Sequence, residues 1–282
     1  MLRKLFSVLL ILLVGLALAA FEGAGPLPCR QPQRPEVEPG TGARGLPVLI
    51  YHHLAPASVG LHRTNAMVVS AEAFAQQMAW LSREGYYTPT LQEVEAFVAG
   101  RLELPAKSVL ITFDDGYASN YEHAHPVLCA AGLRAVVYRI GNRGGAVEGS
   151  ALTYLTSEQA AKMHQSGLWA VENHSFHGHD LVEGEAPYLR WSVEEIAADL
   201  AGVAAKWQEE GLPAPTSIAY PFGFYGEHTL EAARRAGLRT GFTTEPGLVR
   251  PGLAPLKLPR LAVFSYHSLE HVQRMVRGEA QP

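Results

Sequence analysis

Two clusters of residues in this 282-residue chain have the types and spacing for chemistry. The first is Ile111-Thr112-Phe113-Asp114-Asp115-Gly116-Tyr117, where two carboxylates directly follow an apolar run. Like charges this close resist simultaneous ionisation, and in a regular strand they would point to opposite faces. Gly116 lets the backbone turn, so both can reach one pocket. A bound cation would relieve the repulsion and divide the labour, one Asp binding metal and the other acting as base. Taken alone, an Asp-Gly turn with an Asx-type hydrogen bond accounts for this pattern too. The second cluster is Glu172-Asn173-His174-Ser175-Phe176-His177-Gly178-His179-Asp180-Leu181, with three imidazoles in six residues. His with Asp suits a divalent first-row ion such as zinc; a polar surface loop is the alternative. Together, the two loops can supply the two-His, one-carboxylate set that leaves metal positions open for water and substrate.

Elements that would position these clusters follow from periodicity. Strands are predicted at 48–51, 109–113, 135–140, 168–172, 217–220, 240–243 and 261–264. Between them run helical patterns at 71–84, 91–99, 121–131, 157–165, 193–210, 227–236 and 268–277. Ser157 and Ser192 read as helix caps, and Gly85, Gly132, Gly167, Gly211 and Gly237 as stops. Repeated strand–helix units predict a parallel sheet with helices outside. An open doubly wound sheet fits this alternation as well. The polar residues favour a barrel: Tyr51-His52-His53, Asp114-Asp115, His174 to His179 and Pro221-Phe222-Gly223 all follow strand ends, so several strands feed one face.

Bulk properties bound the function. Apolar residues are 48% and charged residues 18% of the chain, enough for a sizeable core. A formal net charge of -4 gives no reason to expect a nucleic-acid partner, because a phosphate-binding surface normally carries basic excess. Arg3 and Lys4, the apolar run from Leu5 to Leu18, and the small residues Ala17, Ala19 and Ala20 read as a signal peptide over 1–20. Export, with no stable membrane span after cleavage, is the expectation; an uncleaved anchor is the alternative. Residues 21–45, rich in Gly and Pro, read as a disordered or extended tether before a single domain over 46–282. Cys29 and Cys129 are too few for a disulfide framework and read as two independent thiols, though a bridge is open to them in an oxidising compartment.

With these residues in view, the chain resembles the polysaccharide deacetylases that share the chitooligosaccharide-deacetylase homology domain. The resemblance runs from about Leu46 to Val263, and Thr112–Tyr117 is its most specific part. It implies a distorted (β/α)7 barrel, a divalent metal ion, read as Zn2+, and an acetylated polysaccharide substrate. It implies further that Asp114 is the general base and Asp115 a metal ligand. Position 178 is glycine, so the common spacing of two His four residues apart is absent; His174 and His179, five apart, fit instead. That form is similar to the poly-N-acetylglucosamine deacetylases of biofilm matrices, as is the opening Val48-Leu49-Ile50-Tyr51-His52-His53. His177 remains an alternative partner for His174. In Ala219-Tyr220-Pro221-Phe222-Gly223 the resemblance assigns the Phe222 N–H to the oxyanion, while Ala219 stands where an arginine usually braces the catalytic Asp. Pro221, Tyr117, His52 and His53 are expected at the substrate pocket, the two histidines also as candidates for the unassigned general acid. His267 and His271 read as surface residues. Peptidoglycan and O-acetylated polysaccharides are rival substrates, and a catalytically silent carbohydrate-binding or scaffold module is the reading from another class.

Overall fold

The computed structural model describes residues 29–146, 152–280 and 282, so the expected leader and residues 21–28 lie outside the described part. One parallel sheet is built from β1 (Val48–Tyr51), β2 (Leu110–Phe113), β3 (Ala135–Arg139), β4 (Trp169–Asn173), β5 (Ser217–Ala219), β6 (Thr240–Phe242) and β7 (Leu261–Ala262). Their order across the sheet is β6-β5-β4-β3-β2-β1-β7. The edges are drawn together by an irregular segment: Leu258 bridges Phe242 of β6, and Leu261 pairs with Leu49 of β1. The result is a distorted (β/α)7 barrel.

Period-two alternation sorts the strand side chains into two populations. Val48, Leu110, Val136, Tyr138, Ala219 and Phe242 cluster with Leu91, Val94, Phe97 and Val98 of α2 (Leu91–Val98), which packs against the starting ends of the strands. Leu49, Tyr51, Ile111, Phe113, Val137 and Val171 belong to the core outside the sheet. That layer includes α1 (Ala71–Arg83), α3 (His125–Ala131), α4 (Ser157–Gln165), α5 (Val193–Glu209) and α7 (Leu269–Val276). A third cluster joins α5 to α6 (Glu227–Arg235).

Local chemistry explains where the elements depart from expectation. The cap of α4 is Thr156, not Ser157, because Gln159 lies three residues on and returns the bond in a capping box. Ser192 caps α5 in the same way. The expected helix over 121–131 begins instead as a π-turn at Asn120–Ala124 before α3. Pro126 has no N–H for the ladder and would crowd the carbonyl four residues back. Residues 29–45 lack helix or strand but are docked, not free: Arg30 N–H donates to the Cys129 carbonyl, and Ala43 N–H to that of Leu104. This docking overturns the reading of two independent thiols, since it brings Cys29 and Cys129 to a Cα separation of 4.4 Å, joined in a disulfide. No helix among the described residues is long and apolar enough to cross a membrane.

Candidate active site and metal centre

The Asp pair leaves β2 at the end where the strands finish. Thr112 and Asp114 face the same interior, as the strand period requires, and both meet Arg260. Asp115 then adopts a left-handed φ of 70° and Gly116 one of 75°, which turns the second carboxylate onto the same cavity. Such a φ costs a non-glycine residue roughly 1–2 kcal/mol. Gly116 has a second requirement, because a Cβ there would lie 2.8 Å from Cγ of Arg139.

Asp114 is buried and gripped by a guanidinium fork. Arg260 Nη1 donates to Oδ1 at 2.8 Å and Nη2 to Oδ2 at 2.7 Å. The same arginine donates from Nε to the Thr243 carbonyl and from Nη1 to Thr112 Oγ1, so its orientation is fixed on three sides. Burial alone would raise the Asp114 pKa; the Arg260 charge beside it holds it below the usual carboxylate range. The brace that Ala219 cannot supply therefore arrives from the residue before β7.

Asp115, His174 and His179 come together as a set, with one ligand atom from each lying within 4.8 Å of the others. Asp115 Oδ1 is 3.4 Å from His174 Nε2 and 3.2 Å from His179 Nε2. Ligand atoms held tetrahedrally at about 2.1 Å from zinc would be roughly 3.4 Å apart, so donor type and spacing both fit such an ion. His174 Nδ1 donates to the Ala219 carbonyl at 2.8 Å, which leaves Nε2 for the cluster. Burial, reinforced by the neighbouring His174, pushes His179 down to about 4, so its ring is neutral at pH 7. For Asp115, burial acts to raise the pKa, but the His174 hydrogen bond and the surrounding imidazoles hold it well below the ordinary range.

The histidine loop is positioned from α5. Asp199 accepts from the N–H groups of Phe176 at 2.8 Å and His177 at 2.6 Å, and from the Tyr188 hydroxyl at 2.7 Å. Tyr188 also dictates the glycine at 178, where a Cβ would approach its ring to 2.3 Å. With Ser175 at φ 75°, this loop carries His179 back to the cluster and leaves His177 exposed, its Nδ1 meeting Asn142. His177 is therefore not part of the set.

A cavity of about 470 Å³ opens over these groups and is also lined by His52, His53, Tyr117 and Phe222. His52 sits near both aspartates, and burial lowers its pKa despite their charges. His53 Nδ1 shares a hydrogen bond of 2.9 Å with Ser119, and its ring meets Tyr117 edge-on. Tyr117 lies beside Asp115, and burial followed by that carboxylate's charge raises its pKa. Phe222 has φ 57°, and its ring packs on His179 at 4.3 Å. The neighbouring Gly223 and Phe224 N–H groups bond to the Tyr220 and Pro221 carbonyls, while that of Phe222 has no partner among the described residues. Pro221 is buried and is not among the residues that line the cavity. Sequence reading missed the roles of Arg260, which lies in a segment resembling the family's closing strand, and of Asp199, which reads as one more polar helix residue. A buried position for His267 also corrects its assignment to the surface.

Comparison with known proteins fits this geometry. A family model described as polysaccharide deacetylase matches residues 101–241, half of the chain. The protein YxkH of Bacillus subtilis (strain 168) is 34% identical over 202 residues, 72% of this chain and 65% of that protein. The chain thus spans just under two thirds of that relative's length. Poly-beta-1,6-N-acetyl-D-glucosamine N-deacetylase of Staphylococcus epidermidis is 27% identical over 196 residues, 69% of this chain and 68% of the enzyme. Among solved structures, IcaB from Ammonifex degensii superposes with a TM-score of 0.72 at 33% identity, covering 85% of this chain and 99% of IcaB.

Proposed function

This chain belongs to the polysaccharide deacetylase family, and on that premise we propose that it is an exported, metal-dependent hydrolase removing N-acetyl groups from a β-1,6-linked N-acetylglucosamine polymer. The observation that carries the reading is the convergence of Asp115, His174 and His179 beside an Asp114 locked to Arg260. Those three side chains would hold a divalent ion, Zn2+ by donor type. When bound, such an ion would lower the pKa of water and polarise an acyl oxygen.

The chain's own residues supply the rest of the hydrolysis. Asp114, kept ionised by Arg260, accepts the proton of the attacking water. The water oxygen bonds to the acetyl carbon, and the Phe222 N–H, without a partner among the described residues, donates to the carbonyl oxygen as charge builds there. The proton taken by Asp114 passes on to the departing amine as the C–N bond breaks, and His52, on the cavity wall near both aspartates, relays it. Acetate and a free amino sugar leave. Tyr117, beside Asp115, and His53, oriented by Ser119, line the place where the sugar would sit.

Export rests on the leader-like pattern over 1–20 and on the Cys29–Cys129 disulfide, which suits an oxidising compartment. The test is acetate release from β-1,6-linked poly-N-acetylglucosamine, peptidoglycan and acetylated xylan, by the wild type and by Asp114→Asn. The expected result is release from the first polymer, falling about 10²–10⁴-fold in the variant. Undiminished release by Asp114→Asn contradicts the mechanism. No release from any polymer by the metal-loaded wild type returns the chain to a binding or scaffold role.

A further inference from the structure

Beside the cavity stands an aromatic pair that the mechanism does not use. Phe264 lines the cavity wall, and Tyr266 stacks on it at 5.4 Å with an interplanar angle of 14°. Tyr266 is nevertheless 70% exposed, the most exposed large apolar side chain among the described residues. A ring covered on one face and so open overall still offers its other face to solvent.

The pair is held in place. Ser265 N–H donates to the Ala66 carbonyl at 2.8 Å, tying the segment to a loop whose Asn65, Met67 and Val68 also line the cavity. His267, buried beneath, meets Tyr266 at 4.7 Å and Phe264 at 5.4 Å, near a right angle to each. Its Nδ1 accepts the Phe264 N–H at 3.2 Å, and its own N–H returns a bond of 3.0 Å to the Phe264 carbonyl. A Tyr ring fixed in this way loses little conformational entropy when something packs on it.

Resting on the deacetylase reading, we propose that Tyr266 is the stacking platform of a glycan subsite, taking a pyranose of the polymer next to the sugar undergoing deacetylation. A cavity of about 470 Å³ belongs to the size class that encloses a small ligand, so a longer chain must leave it across the rim. On this side the rim is the Phe264–Tyr266 pair. The apolar C–H face of a pyranose matches an aromatic face, and the Tyr266 hydroxyl, with no hydrogen bond among the described residues, can meet the ring hydroxyls at its edge. Continuity with the catalytic cavity selects this occupant over a second protein, whose interface would need a far wider apolar surface.

The proposal is tested by calorimetric titration of a β-1,6-linked glucosamine pentamer and of glucosamine itself into wild-type protein, Tyr266→Ala and Tyr266→Trp. Melting curves serve as the folding control, and the fully deacetylated ligands make the measurement independent of turnover. Tyr266→Ala should weaken pentamer binding about three- to tenfold, in line with the worth of one ring contact. Tyr266→Trp should restore it, and the monosaccharide affinity should move less than twofold in either variant. Pentamer binding unchanged in folded Tyr266→Ala, or no pentamer binding by the wild type, overturns the subsite. Acetate release from the acetylated polymer, assayed separately, reports on the underlying deacetylase reading and fails independently.

Discussion

Asp114 and Arg260 form the pair on which the proposed proton transfer depends, and they are 146 residues apart. Removing one partner leaves a charge buried without its counter-ion, which typically costs 3–5 kcal/mol. Arg260→Leu should therefore lower both activity and thermal stability, while Asp114→Asn combined with Arg260→Leu should regain stability without regaining acetate release. Melting temperatures and acetate assays on the three variants check this; equal stability of Arg260→Leu and wild type would contradict it. At this scale the sequence was legible where chemistry is local. Asp114-Asp115-Gly116 and the His174–His179 spacing carry their own signal. Arg260 does not, because a Leu-Pro-Arg before a short strand looks like any strand entry, and only the barrel's closure places it under β2.

Elements hold the ligand loop in register. Asp199 on α5 ties two loop N–H groups and the Tyr188 hydroxyl, so it acts on the metal set only through His174 and His179. Outer partners of this kind commonly change metal affinity by 10–100-fold. Asp199→Ala should raise the zinc dissociation constant by at least roughly tenfold, measured by chelator competition, with Asp199→Asn in between; unchanged affinity would remove the positioning role. Asp199 was hidden in the sequence because its 3.6-period position on α5 reads as one more polar helix residue. At the start of α7, burial lowers the His267 pKa to about 4, helped by His271, and Nδ1 accepts a backbone N–H. Because the folded pKa lies below the ordinary 6.5, the unfolded chain binds the extra proton between these values. Stability from this group is full above about 6.5 and is lost as pH falls toward 4. His267→Asn should flatten the decline of melting temperature across that window; an identical decline in both proteins would contradict the assignment.

Across the whole molecule, strand–helix alternation and polar residues at strand ends favoured a barrel over an open sheet, and the family resemblance supplied its distorted seven-stranded form. Alternation could not show how its edges meet, since Leu258 to Leu261 is too short and irregular to carry a period. Nor could composition show that residues 29–45 dock, because Pro- and Gly-rich segments look alike whether free or pinned. The Cys29–Cys129 disulfide pins this one and closes a loop of 100 residues, worth about 4–5 kcal/mol on a chain-entropy account. Cys129→Ser should lower the melting temperature by roughly 10 °C without changing zinc affinity; an unchanged melting temperature would assign the bridge no stabilising role. The central claim is that one ion held by Asp115, His174 and His179 is needed for deacetylation. The direct test is elemental analysis coupled to acetate release for wild type, Asp115→Ala and His174→Ala, before and after chelation and zinc return. The account predicts one ion per wild-type chain, activity lost on chelation and restored by zinc, and neither ion nor activity in the variants. Full acetate release from metal-stripped wild type would contradict it.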